Sequence, residues 1–171
     1  PTVEARWIVE RASGFEGPAE VAIADGRILS IAAQAPDGFS AQQVIDARGC
    51  LVAPGLVDLN ARLGEPGHEH EHMLESETAA AVAGGVTSVV CPPDTEPVLD
   101  EPGLVQMLKY RAASLNQCRV FPLGALTRGL AGEALTEMVE LTQAGCGGFG
   151  QADVPLGNTQ VLLRAMQYAS T

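Results

Sequence analysis

The feature that most limits the fold of this chain is an alternation of short apolar runs and helix-like segments after Pro54-Gly55. Short apolar runs bounded by turn residues are typical of buried strands. Strands joined by helical crossovers are expected to lie parallel in one sheet. The predicted strands are 56–59, 86–91, 120–123 and 146–149, and the predicted helices are 74–83, 101–115, 133–144 and 159–169.

Four such units indicate an α/β fold, either a doubly wound sheet or a barrel. No G-x-G-x-x-G follows the first strand, and the glycines of 146–150 lie in a predicted strand rather than before a helix. The sequence therefore disfavours a dinucleotide-binding fold. A closed (β/α)8 barrel typically needs about 250 residues. We therefore expect the 171 residues to hold about the first half of a barrel.

The helix ends carry recognisable signals. Asp100 and Asn158 are residue types that cap helix N-termini, and Gly145 can end the third helix. In the last helix, an apolar stripe at helical spacing predicts a core-facing side. Its members are Val161, Leu162, Ala165 and Met166.

Residues 1–53 are predicted to form a separate segment of short strands, followed by the barrel units over 54–171. Asp25-Gly26 separates two apolar runs and predicts a tight hairpin turn, because this dipeptide tolerates positive φ. Gly49 predicts a further turn between 44–46 and 51–53.

Composition excludes several functions. The net charge of −11 repels phosphate backbones and anionic lipids, so neither nucleic acid nor a membrane is an expected partner. No signal-peptide pattern or membrane-spanning run is visible. The four cysteines are far apart, which predicts reduced thiols and a cytoplasmic protein.

One segment, residues 44–67, resembles the entry to the barrel in amidohydrolases. In that superfamily a small β-sandwich domain delivers the chain through a Pro-Gly turn into the first barrel strand. Glu65-Pro66-Gly67, Glu77-Thr78 and the stretches 83–87 and 90–92 make the chain similar to dihydroorotases in particular. The resemblance implies a (β/α)8 amidohydrolase barrel in which 1–53 is the β-sandwich segment.

The resemblance also shows where the chain departs from the family. Family members end the first barrel strand with His-x-His, whose two imidazoles bind a catalytic zinc ion. This chain has Asn60 and Arg62 there. Asparagine is a poor zinc ligand, and a guanidinium is a permanent cation that repels a metal ion.

Three further positions differ from the family pattern. Gly64 stands where the family has an arginine that grips the substrate carboxylate. Asp94 replaces an asparagine that contacts the substrate. Gln151 lies in the stretch where relatives carry the metal-bridging ligand. We interpret these five positions together as a degenerate site that is not catalytic and needs no cofactor.

The only histidine cluster comprises His68, His70 and His72, with carboxylates between them. Three imidazoles at this spacing are weak candidates for a metal site. The interpretation we favour is a solvated loop after the first barrel strand, because barrel metal sites use rigid ligands at strand ends.

Three other residues have competing interpretations. Asp58 is expected to hold the strand end by hydrogen bonds. Cys91 could be a nucleophile, but its apolar run favours an inert core thiol. Arg62 needs a partner, and a plain surface or salt-bridged role is favoured over anion binding.

Two classes of function remain open. The pattern resembles inactive dihydroorotase-like chains that assemble with the aspartate transcarbamoylase catalytic chain in some bacteria. The resemblance implies a structural subunit of such a hetero-oligomer in pyrimidine biosynthesis. The alternative is an active metal-dependent cyclic amidohydrolase with a rearranged site. A third interpretation, a scaffold of the inactive dihydropyrimidinase-like kind, is disfavoured by Glu65-Pro66-Gly67.

Overall fold

The computed structural model describes the backbone of residues 2–10 and 15–170 and the side chains of residues 16–170. The chain forms two compact units, Pro1–Pro54 and Gly55–Thr171. Each unit has its own hydrophobic core.

The first unit contains a four-stranded sheet with the order β3-β2-β1-β4. Strand β1 pairs antiparallel with β2 and parallel with β4, and β2 pairs antiparallel with β3. Ala19 and Val21 are buried at its centre. The strands are β1 (Thr2–Glu10), β2 (Phe15–Ala24), β3 (Arg27–Ala32) and β4 (Val44–Val52).

The hairpin prediction is confirmed, whereas the Gly49 prediction is wrong. Asp25 and Gly26 have φ values of 50° and 71° and connect β2 to β3. Gly49 has a φ of 89° but lies inside the continuous strand β4. The β1–β4 register shifts beside it, so its positive φ accommodates an irregularity within the strand rather than a turn.

The second unit alternates strands and helices along its whole length. In chain order the elements are β5 (Leu56–Asp58), α1 (Leu74–Ala83), β6 (Val86–Cys91), α2 (Pro102–Leu115), β7 (Arg119–Ala125), the 3-10 turn Arg128–Leu130, α3 (Met138–Ala144), β8 (Gly148–Gly150) and α4 (Thr159–Ala169). No helix in the described part of the chain is both long and apolar enough to cross a membrane.

The strand order of the second unit is β5-β6-β7-β8, and every neighbouring pair is parallel. A doubly wound sheet reverses its strand order at a switch point. A barrel adds each new strand beside the last. The sequential order therefore has the topology of consecutive (β/α)8 barrel units.

The core of the second unit lies between the sheet and its helices. Val89 and Val120 occupy the same register position on β6 and β7, and both side chains are buried against the helices. Leu74 of α1 and Val105 and Leu108 of α2 are at most 1% exposed. Burying side chains of this size stabilises the packing by roughly 1.5–3 kcal/mol each.

Two predictions of helix starts are wrong. Helix α2 begins after Glu101 without a side-chain cap, and the Asp100 carboxylate instead accepts a hydrogen bond from the backbone N–H of Gly129 (2.8 Å). Helix α3 begins at Met138 rather than at Glu133. The Thr136 hydroxyl donates to the carbonyl of Ala125 (2.6 Å), which holds the preceding segment in a non-helical conformation.

The last helix confirms one prediction and corrects another. The Asn158 side chain caps α4 by accepting from the backbone N–H groups of Gln160 and Val161. Of the predicted core-facing stripe, only Ala165 is fully buried, whereas Leu162 and Met166 are 42% and 64% exposed. The stripe is therefore largely uncovered in the described part of the chain.

A buried carboxylate joins the loop after β5 to two helices. Glu65 is 2% exposed, and its Oε1 accepts from the backbone N–H of Leu74 (3.0 Å), the first residue of α1. Its Oε2 lies 2.7 Å from the Arg111 guanidinium on α2, in the geometry of an ion pair rather than a well-angled hydrogen bond. A negative charge at a helix N-terminus is also favourable.

We therefore expect Glu65→Gln to lower the free energy of unfolding by about 1–2 kcal/mol, because it removes the charge that Arg111 faces. Arg111 is about half exposed, which limits the loss. Urea unfolding of the intact protein measures this change in the free energy of unfolding. Glu137→Gln, in the exposed Arg128 pair, is the control and should cost almost nothing. Equal effects of the two changes would contradict the role of Glu65.

Candidate functional site

The candidate site lies where the chain leaves the carboxyl ends of the barrel strands. Barrel enzymes place their active sites at this end. A cavity of about 250 Å³ opens there. It is lined by Arg62, Leu63, Gly64, His68, Glu71, His72, Cys91, Pro92, Asp94 and Thr95. The structure thus brings Arg62, Gly64 and Asp94 together, as the sequence predicted for residues of one site.

Arg62 is held by two carboxylates. Its Nε and Nη2 donate to Asp94 Oδ2 at 3.0 and 2.8 Å, and the same Nη2 donates to Asp153 Oδ2 at 2.7 Å. The hydrogen bonds and charge of Asp94 raise the pKa of Arg62 above its ordinary value, and Asp153 adds to the effect. Of the two roles that were favoured over anion binding, the structure shows the salt-bridged one.

The local packing explains why Arg62 reaches the cavity. Ala61 donates its N–H to the carbonyl of Val90 (2.9 Å), which extends the pairing beside β6. Ala61 and Leu63 pack against the hydrophobic core. Because side chains alternate along an extended segment, Arg62 between them points away from that core.

Gly64 is required by the shape of this loop. Its φ is 74°, and a Cβ built on it would lie 2.3 Å from the carbonyl oxygen of His72. No side chain fits there unless the backbone moves. The arginine that the family resemblance places at this position is therefore incompatible with the loop as it stands.

Asn60 does not line this cavity. Its backbone N–H donates to Asp58 Oδ1 (2.9 Å), so Asp58 stabilises the strand end as predicted. Asn60 instead lines, together with Arg62, a neighbouring cavity of about 350 Å³ beside Glu77 and Ala80 of α1.

The Gln151 side chain forms its hydrogen bonds with the loop after β7 rather than with Arg62, Asp94 or Asp153. Its Nε2 donates to the carbonyl of Leu130 (2.8 Å), and its Oε1 accepts from the Thr127 hydroxyl (3.0 Å). Thr127 in turn accepts from the backbone N–H of Gly132 (2.9 Å). Gln151 therefore fastens the loop after β7.

The three histidines lie in the loop between β5 and α1, as the sequence predicted. The rings of His68 and His70 are 6.2 Å apart and tilted by 41°. His70 and His72 each place Nε2 3.6 Å from a different oxygen of Glu71. Only His68 and His72 line the cavity.

Cys91 is an inert core thiol, as expected. It is 1% exposed, and burial raises the pKa of its thiol to about 11. A thiol with so high a pKa is almost entirely protonated at neutral pH and is a poor nucleophile.

The donor set does not fit the zinc site that the family resemblance implies. Of the two strand-end positions, one is the exposed amide Asn60 and the other is a cation already bound to carboxylates. Within the described residues, no three His, Cys, Asp or Glu side chains are arranged to hold a metal ion.

The sequence did not identify Asp153 as part of the site. Asp153 lies in the loop after β8. Its side chain is 85% exposed although its carboxylate contacts Arg62. The available signal was its position after a predicted strand, since the carboxyl ends of parallel strands meet at one edge of the sheet. That signal alone does not distinguish it from other loop aspartates.

Comparison with known proteins identifies the family. The sequence model described as Dihydro-orotase-like matches residues 49–171. The chain therefore belongs to the dihydro-orotase-like family.

Similar proteins carry two different names. A Pseudomonas aeruginosa protein named dihydroorotase-like protein is 44% identical over 96% of this chain. A Pseudomonas putida protein of the same name is also 44% identical. A Syntrophotalea carbinolica protein named dihydroorotase is 38% identical over 95% of this chain. The chain spans 38% of the length of each of these relatives.

Solved structures confirm the predicted fold. The chain is similar to the L-hydantoinase of Arthrobacter aurescens, with a TM-score of 0.76 and 22% identity over 99% of this chain and 38% of that one. A D-hydantoinase matches with a TM-score of 0.69 and 20% identity over 98% of this chain and 37% of that one. The chain thus shares the fold of the corresponding part of these two proteins, and its second unit has the strand order of consecutive (β/α)8 barrel units.

We expect Gly64→Ala to lower the free energy of unfolding by about 2–4 kcal/mol, because it adds a steric clash to an unfavourable φ. Gly85→Ala is the matched control: φ is 81° there, but nothing lies within 4 Å of the added Cβ. It should cost only about 1–2 kcal/mol. Chemical unfolding of both variants gives the comparison. If Gly64→Ala is no worse than Gly85→Ala, the loop does not exclude a side chain at position 64.

Proposed function

We propose that this chain is a catalytically inactive, dihydroorotase-like component of an aspartate transcarbamoylase complex. The observation that carries the first half of the proposal is the Arg62 guanidinium bound to Asp94 and Asp153. At the strand end where the family resemblance implies a zinc ligand, the chain holds a cation of its own.

The remaining positions support the loss of hydrolysis. Hydrolysis of a cyclic amide in this fold depends on water activated by a bound metal ion. Asp94 is engaged with Arg62, and both ends of the Gln151 amide are hydrogen-bonded within the fold. Gly64 offers no side chain to a substrate carboxylate. Several groups that would have to act as a unit are therefore missing together.

The names of the relatives agree with this interpretation. The two Pseudomonas proteins, which are 44% identical to this chain, are named dihydroorotase-like proteins, whereas the Syntrophotalea carbinolica protein named dihydroorotase is 38% identical. We therefore group this chain with the proteins named dihydroorotase-like rather than with those named dihydroorotase.

The assembly role rests on the resemblance together with the loss of chemistry. A barrel that no longer catalyses a reaction is expected to have a different function, and the fold alone does not identify that function. The family resemblance suggests the function of a cytoplasmic structural subunit that assembles with the aspartate transcarbamoylase catalytic chain in pyrimidine biosynthesis.

A second candidate is an active cyclic amidohydrolase with a rearranged site. The observation in its favour is that His68 and His72 line the same cavity as Arg62. Against it, His72 lies beside Glu71, and the Arg62 guanidinium would repel a cation bound in that cavity. We therefore place this candidate second.

Co-expression of the intact protein with the aspartate transcarbamoylase catalytic chain of the same organism tests the assembly role. We expect one hetero-oligomer by native mass spectrometry and light scattering. Transcarbamoylase activity should depend on its presence. The catalytic chain expressed alone is the control. Separate migration at micromolar concentration, with full transcarbamoylase activity in the control, would overturn the assembly role.

A further inference from the structure

The Arg62 cluster has an arrangement that ordinary surface ion pairs lack. Its three members follow three different strands: Arg62 follows β5, Asp94 follows β6 and Asp153 follows β8. One nitrogen, Arg62 Nη2, contacts a carboxylate oxygen from each aspartate. A single cation is thus shared by two anionic groups from non-adjacent strands.

Without the guanidinium, the two carboxylates would face each other across a shared position. Like charges at such separations repel, and an opposite charge between them removes the repulsion. Carboxylate oxygens are also the ligands that Ca²⁺ and Mg²⁺ prefer. The position of Arg62 Nη2 is therefore favourable for a metal cation as well as for a guanidinium.

We propose that the Arg62 guanidinium occupies a position that would otherwise bind a cation from solution. It neutralises Asp94 and Asp153 and connects the loops that follow β5, β6 and β8. The inference rests on the proposed absence of a metal-dependent site, and it does not depend on the transcarbamoylase partner. The guanidinium also keeps dissolved cations out of this position by occupying it.

Removing the charge should expose a cation site. Arg62→Ala should lower Tm by roughly 2–4 °C at low ionic strength, a shift that corresponds to a partly exposed ion-pair network in a protein of this size. Millimolar CaCl₂ or guanidinium chloride should restore part of that loss, because either cation can occupy the vacated position. KCl at matched ionic strength is the control for screening.

Two further variants separate the charge effect from a loss of packing. Arg62→Lys keeps the charge and should show no response to CaCl₂, like the wild-type protein. Arg62→Ala combined with Asp94→Asn removes one of the two carboxylates and should also show no response. Recovery of Tm by CaCl₂ in the double variant, or no recovery in Arg62→Ala, would overturn the inference.

If Arg62→Ala does not fold, Asp94→Asn in the wild-type background tests the same network. It should lower Tm more than Glu137→Gln, which removes half of an exposed pair with Arg128. The difference should shrink at high salt, and equal Tm values for the two variants would overturn the inference. Stoichiometric Zn²⁺ in the wild-type protein, with dihydroorotate hydrolysis that is lost on chelation, would instead contradict the proposed function, so the two failures are distinguishable.

Discussion

The arrangement of the candidate site depends on the contact between the Arg62 guanidinium and two aspartates. Asp94 and Asp153 follow strands that are not neighbours in the sheet, and both meet Arg62 through one nitrogen. This contact places a positive charge next to two carboxylates at the carboxyl ends of the barrel strands. A guanidinium that belongs to the chain does not dissociate, which supports the proposal that no catalytic metal ion is bound at this position.

The loop that carries Arg62 is held by constraints that leave little room for a catalytic side chain. Ala61 and Leu63 are anchored in the core, which orients Arg62 between them. Gly64 passes so close to His72 that only glycine fits. Glu65 then connects the loop to the first residue of α1 and to Arg111 on α2. The backbone needed for this loop thus excludes the arginine expected in the family.

The sequence predicted the order of the barrel strands and helices because short apolar runs alternate with longer helix-like segments, although β5 itself is exposed in the structure. It predicted helix starts less well. Asp100 was expected to cap α2, but its carboxylate binds the N–H of Gly129, a residue distant in sequence. The stripe of α4 was expected in the core, but burial depends on what covers a helix as well as on its own pattern. Family resemblance located the altered positions, whereas the Arg62 contact with Asp153 depends on tertiary geometry that local patterns do not encode.

We propose that the strand-end site of the intact protein holds no catalytic metal ion. The most direct measurement combines metal analysis of the purified intact protein with a dihydroorotate hydrolysis assay before and after chelation. We expect substoichiometric zinc and no turnover in either condition. Stoichiometric zinc, with hydrolysis that is lost on chelation and regained when zinc is returned, would contradict it.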